Sequence, residues 1–189
     1  MWHAEIIPGA QLWTNGRIQW VSLQRFGPVT IETAAPDLPA AAEILREYLG
    51  EMISRYYGRP TDDAEITQHL SAGHGSDDPR EPTGVLLLAR GTDADAQRPI
   101  GCVGLRRLDD QTRELTRMFV RPDAREADVA ALLLGAAEQR ARAEGASVIR
   151  LSTRSDLVEA RALYAKHGYQ EVPRYRDDPL AEHWFEKKL

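Results

Sequence analysis

Three apolar runs of strand length, at residues 84–89, 100–108 and 114–120, follow one another with only short turn-forming connections. Runs so closely spaced pair as antiparallel neighbours, because a parallel return needs a crossover of a dozen residues or more. The chain therefore carries a three-stranded meander at its centre, and the rest of the fold must cover that sheet. On both sides the hydrophobic period changes from strand-like to helical. From Asp37, Leu45, Tyr48, Leu49, Met52, Ile53 and Tyr56 recur at three- and four-residue steps, and Gly58 and Pro60 end the run. A shorter helix is expected over 62–70, opened by Asp62 and Glu65 at capping-box spacing. Residues 71–83, rich in Gly, Asp and Pro, read as a mobile loop.

After the meander, Val129, Leu132, Leu133, Ala136 and Ala137 form the apolar stripe of a helix over 127–144 that Gly145 closes. A strand at 148–152, a helix at 157–167 ended by Gly168, and strands at 169–172 and 183–187 complete the pattern. Ahead of the first helix, 29–32 reads as a core strand. Asn15-Gly16 favours a tight turn, which predicts a hairpin between 11–13 and 17–23. The order predicts a mixed α/β (α+β) sheet flanked by helices over residues 28–189, with residues 1–27 as a hairpin extension.

Composition narrows the partners. With 189 residues, 42% of them hydrophobic, the chain closes one real core. Its net charge of -5 and scattered Lys and Arg give no footprint for nucleic acid or an anionic membrane. Cys102 is the single cysteine, which excludes an internal disulfide and reads as a small buried strand residue. His3, His69, His74, His167 and His183 lack the spacing of a helical metal pair, so no metal is expected. The first ten residues carry neither a basic stretch nor a long apolar run, and a cytoplasmic location is expected.

Two blocks carry a resemblance. ELTRMFVRP at 114–122 is followed by Asp123-Ala124-Arg125, and ARALYAKHGY at 160–169 repeats an Ala-x-x-Leu-Tyr-x-x-x-Gly-aromatic pattern. Together they resemble the GNAT-type N-acetyltransferase family over about residues 29–189, and the closing HWFEKKL at 183–189 is similar to the family's terminal strand. The resemblance implies the GNAT fold, a strongly twisted mixed sheet whose central parallel strands splay apart. It implies acetyl-CoA as cosubstrate and a primary amine, on a small molecule or a peptide N-terminus, as acceptor, attacking directly in a ternary complex. Met118, Phe119 and Val120 would lie along the pantetheine arm, and Arg125, Glu126, Ala127, Asp128, Val129 and Ala130 would form the pyrophosphate loop. The acceptor would sit between the first two helices, the 71–83 loop and the last strands.

Amine attack on a thioester requires the amine to lose a proton and the departing thiolate to be stabilised. By the resemblance Tyr164 is the acid, since a phenol of pKa about 10 donates at neutral pH without ionising; its alternative is a packing aromatic. Glu114 stands where some members hold the carboxylate that accepts the amine's proton; its alternative is a strand glutamate paired with Arg107 or Arg117.

The loop departs from the family's Gln/Arg-x-x-Gly-x-Gly/Ala pattern, reading Arg125-Glu126-Ala127-Asp128-Val129-Ala130. Asp128 replaces a glycine that would let backbone N–H groups approach a phosphate, and like charges ~6 Å apart repel by roughly 3 kcal/mol at an effective dielectric of 20. Arg121 and Arg125 are placed to offset that repulsion, while an acid in a first helical turn is stabilising in its own right. Leu157 stands where many relatives carry a polar contact to the cofactor. These two departures define a rival reading, a non-catalytic GNAT-like module that binds a ligand or partner. A third makes the hairpin with Trp2, Trp13 and Trp20 a dimerisation arm, against its packing on the chain's own sheet.

Overall fold

The computed structural model describes residues 17–19, 28–74, 78–91, 98–125 and 128–189. Among these, eight strands form one sheet in the order β1-β2-β3-β4-β5-β6-β8-β7. They are β1 (Arg17–Gln19), β2 (Thr30–Ala34), β3 (Gly84–Arg90), β4 (Pro99–Arg107), β5 (Thr112–Val120), β6 (Val148–Thr153), β7 (Gln170–Val172) and β8 (His183–Lys188). Every neighbouring pair is antiparallel except β5–β6, the parallel seam. The expected meander is β3–β4–β5.

The helices are α1 (Pro39–Tyr57), α2 (Asp63–His69), α3 (Val129–Ala143) and α4 (Val158–Lys166), with a π-helical turn at Leu70–His74 and a 3-10 turn at Pro122–Ala124. Pro39 opens α1 where its missing N–H costs nothing, and Gly58, at φ 65°, closes it. Asp62 caps α2 by accepting from the Glu65 N–H at 2.8 Å, but the Glu65 carboxylate turns outward to Arg59. Only half of the expected capping box forms.

β3 explains why the core has two layers. Val85, Leu87 and Ala89 face α3 and α4, while Leu86 and Leu88 face α1 beside Ala41, Ile44 and Leu45. A strand apolar at every position is the signature of burial on both faces. Tyr56, read above as part of the buried stripe of α1, is instead 56% exposed. It lies in the last turn, its ring 5.6 Å from the Arg154 guanidinium.

Of the expected hairpin, residues 11–16 and 20–23 lie outside the described residues, as do Trp2, Trp13 and Trp20. The described part, β1, pairs with β2 through Arg17↔Glu32, Ile18↔Ile31 and Gln19↔Thr30, so it extends the main sheet. The loop before β3 is anchored where it is described. Pro79 is buried against Gly104 of β4, where a Cβ would collide with it, and Asp78 pairs with Arg117 of β5 at 2.7 Å.

Candidate active site

The site opens where the parallel seam ends. β5 and β6 pair at Thr112↔Val148, Arg113↔Ile149 and Glu114↔Arg150, and no further pair forms. From Leu115 onward the β6-facing edge of β5 lacks a strand partner among the described residues. The gap is a cleft with two connected halves. One, ≈ 330 Å³, is walled by the end of β5, Arg125, Ala130 of α3, and Leu157, Ala160, Leu163 and Tyr164 around α4. The other, ≈ 540 Å³, lies between α1, the π-helical turn at Ala72 and Gly73, and the loop carrying Arg176 to Ala181. Tyr48, Met52, Thr116, Arg117, Ser152 and Thr153 line both halves and mark their junction.

A β-bulge shapes that junction. Cys102 pairs with Phe119 and Gly104 with Thr116, so Arg117 and Met118 together oppose Val103. Arg117 adopts φ 53°, a left-handed conformation that costs a non-glycine residue about 1–3 kcal/mol. Three contacts hold it: the Asp78 ion pair, the Tyr48 ring 5.7 Å from its guanidinium, and Cys102 Sγ donating to its carbonyl at 3.3 Å. Burial pushes the Cys102 thiol far above its ordinary value, so it remains a protonated donor. Thr116 Oγ1 is buried at the junction without a hydrogen-bond partner among the described residues.

Tyr164 stands on the wall of the smaller half and is 4% exposed. Its ring packs on Tyr169 and Phe185, with centroids 5.8 and 6.1 Å away. Desolvation, with a smaller contribution from Tyr48, pushes the phenol well above its ordinary value, so it holds its proton at neutral pH. Met118, Phe119, Val120, Arg125 and Ala130 line the same half. Val129 is fully buried in the core, so only its backbone could serve a ligand. Glu126 and Ala127 lie outside the described residues.

Three expectations need correction. Glu114 is not presented to the cleft: it is 1% exposed, accepts from Tyr175 at 2.9 Å and from Arg106, and forms an ion pair with Arg176 at 2.8 Å. Its partners are therefore Arg106 and Arg176, not Arg107 or Arg117. Arg121 is not a counter-charge for a phosphate, because it is 3% exposed and bound to Glu43 and Glu47 of α1. Asp128 is not in the first turn of α3 but caps it at φ 48°, exposed and making no side-chain cap bond. The backbone here keeps the conformation that glycine adopts freely, although the residue is an aspartate.

Sequence reasoning missed Tyr48, Thr116, Ser152, Arg154, Arg176 and Asp178, all on the cleft wall. Ser152 and Arg154 flank the end of the 148–152 strand, a position that a splayed-strand reading could have singled out. Arg176 and Asp178 lie in a connection without periodicity, so no pattern marked them.

The model of the acetyltransferase (GNAT) family matches residues 41–169, and the chain belongs to that family. Its general activity is accordingly acetyl transfer. Solved structures share the fold. A GNAT-family acetyltransferase from Staphylococcus aureus Mu50 is 19% identical with a TM-score of 0.65, over 85% of this chain and 98% of that one. A Klebsiella pneumoniae protein described as an acyl-CoA N-acyltransferase is 24% identical with a TM-score of 0.61, over 85% and 97%. PaiA N-acetyltransferase from Thermoplasma acidophilum, solved in complex with coenzyme A, is 19% identical with a TM-score of 0.62, over 85% and 99%. At these identities the likeness is one of fold. No curated protein matches the chain. Among the described residues no helix is long and apolar enough to cross a membrane.

Proposed function

We propose that the protein transfers the acetyl group of acetyl-CoA to a primary amine, on a small molecule or a peptide N-terminus, by direct attack in a ternary complex. The observation that carries this reading is the parting of β5 from β6 after Glu114↔Arg150, which leaves a strand edge open along a cleft. The residues present suit a CoA thioester. The open edge at 115–120 offers backbone groups to an extended amide chain, and the N-terminus of α3 with Arg125 lies at one end of that half. Acetyl-CoA would supply the activated acyl group. Arg125 is held by the Val120 carbonyl at 3.0 Å and by Glu51, which fixes its position beside the loop.

Tyr164 would hold a proton at Oη for the departing sulfur, its ring fixed by Tyr169 and Phe185 and its elevated pKa keeping it neutral until the thiolate develops. The acceptor would enter the larger half and meet the thioester at the junction of Thr116, Arg117 and Ser152. The two halves hold donor and acceptor at once, which suits direct attack better than an acyl-enzyme.

The non-catalytic reading draws on Asp128 and on the apolar Leu157, which lines both halves. Against it, the backbone at Asp128 keeps the left-handed conformation that glycine adopts freely. The deciding experiment measures release of free CoA thiol from acetyl-CoA in the presence of a panel of primary amines, with product identified by mass. Amine-dependent release is expected. Binding of acetyl-CoA without release for any amine would establish the non-catalytic module instead.

A further inference from the structure

We propose that Asp178 receives the acceptor: its carboxylate binds the ammonium of a primary amine carried on an apolar body and takes its proton. The inference rests on the acetyl-transfer reading above and names the acceptor class and the group that handles it.

Position comes first. Asp178 lies in the connection between β7 and β8, on the wall of the larger half of the cleft. Its Oδ2 accepts from the Ser152 hydroxyl at 3.1 Å and from Arg176 Nη2 at 2.8 Å, and its Oδ1 accepts from the Leu180 N–H at 3.1 Å. Ser152 lines both halves, so the carboxylate is one hydrogen bond from the junction where amine and thioester would meet. Its two oxygens have about four acceptor sites. Those three donors leave room for one more, which an ammonium N–H fills.

The other acids are placed differently. Asp177 is on the same wall but 92% exposed and paired with Arg174. Glu51 and Glu159 line the opposite half and pair with Arg125 and Arg55. Asp78 is bound to Arg117 and Asp156 to Arg154, and Glu114 is buried behind Arg176. The ion pair between Glu114 and Arg176 acquires a purpose here, because Arg176 in turn holds Asp178. Leu49, Met52, Leu115, Leu157, Pro179 and Leu180 give the same wall an apolar part, and the guanidiniums of Arg117, Arg154 and Arg176 that share it are each paired with an acid. A carboxylate beside that apolar surface selects a cation with a hydrophobic body.

The proton inventory closes. The ammonium gives one proton to Asp178, which at 21% exposure passes it to water. The freed nitrogen lone pair forms the C–N bond as the C–S bond breaks. The sulfur takes a proton from Tyr164, and the proton that the new amide nitrogen sheds restores the phenol. One proton per turnover leaves to solvent.

The test compares two acceptors of similar size, phenethylamine, a cation at pH 7, and O-benzylhydroxylamine, which is largely uncharged there. Asp178→Asn keeps the side chain's shape and an oxygen for the Leu180 N–H. It should leave acetyl-CoA binding unchanged, lower kcat/KM for phenethylamine by about 100-fold or more, and lower that for O-benzylhydroxylamine by less than about fivefold. Asp178→Glu should recover part of the phenethylamine activity, which a purely structural role would not produce. Equal losses on both acceptors, or no loss on either, would overturn the assignment. So would a wild-type protein that binds acetyl-CoA but acetylates neither probe, whereas failure to bind acetyl-CoA would sink the transfer reading itself.

Discussion

Tyr164→Phe is expected to lower turnover by about 10²- to 10⁴-fold while leaving acetyl-CoA affinity near that of the wild type. The substitution deletes one hydroxyl from a ring that is 4% exposed and packed on Tyr169 and Phe185. Phenylalanine refills that space, so the fold and the cleft wall persist. What disappears is a proton donor whose burial keeps it protonated at neutral pH. The loss should be largest when expulsion of the thiolate limits the rate, and smaller with a thioester whose leaving group is a weaker base. Turnover at the wild-type level on acetyl-CoA would return Tyr164 to a packing role. The backbone N–H groups at the Arg117–Met118 bulge would then be the groups left to stabilise the sulfur.

Removal of Glu114 should be felt in stability before it is felt in chemistry. Its carboxylate, 1% exposed, forms ion pairs with Arg106 and Arg176 and accepts from the Tyr175 hydroxyl. Removing one partner of a buried ion pair typically costs 3–5 kcal/mol, because the opposite charge is left uncompensated. Arg106 and Arg176 keep side-chain exposures of 29% and 33%, so water softens the penalty. Glu114→Ala should therefore cost about 3 kcal/mol, a fall in Tm of roughly 6–12 °C for a domain of this size. Glu114→Gln retains an acceptor for Tyr175 and should fall between. A direct proton acceptor would behave otherwise: Glu114→Gln would then keep its Tm and lose turnover, and thermal denaturation beside a rate assay separates the two.

The layered fold was legible because its strands are written in unambiguous residues. A run such as Val85 to Ala89, apolar at each position, has no stable place except between two helical layers. Glycines after the helical runs closed them as expected, at Gly58, Gly145 and Gly168, all with positive φ. Tyr164 was legible through its pattern, and the structure places it on the cleft wall.

What sequence could not supply is the geometry made by long-range partners. The bulge places a left-handed residue at Arg117, which no glycine announces, and its restraint comes from Asp78, Tyr48 and Cys102 on three other elements. Glu114 read as a proton-accepting carboxylate or a strand glutamate paired with Arg107 or Arg117, because the residues that occupy it, Tyr175 and Arg176, lie some 60 positions away in the chain, in an aperiodic segment. Asp128 read as a charge in the wrong place, while its backbone conformation is a property of structure alone.

The central claim is that the cleft between β5 and β6 binds the CoA thioester, and a thermal titration with acetyl-CoA tests it most directly. A ligand that binds only the native state stabilises it by about 2.7 kcal/mol at a concentration one hundred times its Kd. The midpoint of the wild-type protein should rise saturably with acetyl-CoA. Asp128→Gly should reach the same rise at lower concentration, since it removes a charge from the loop and relieves the left-handed strain at φ 48°. That relief offsets the helix-dipole contribution lost with the acid, about 0.3–1 kcal/mol, so the variant without ligand should melt near the wild type. An unchanged midpoint for both proteins at millimolar acetyl-CoA would contradict the account.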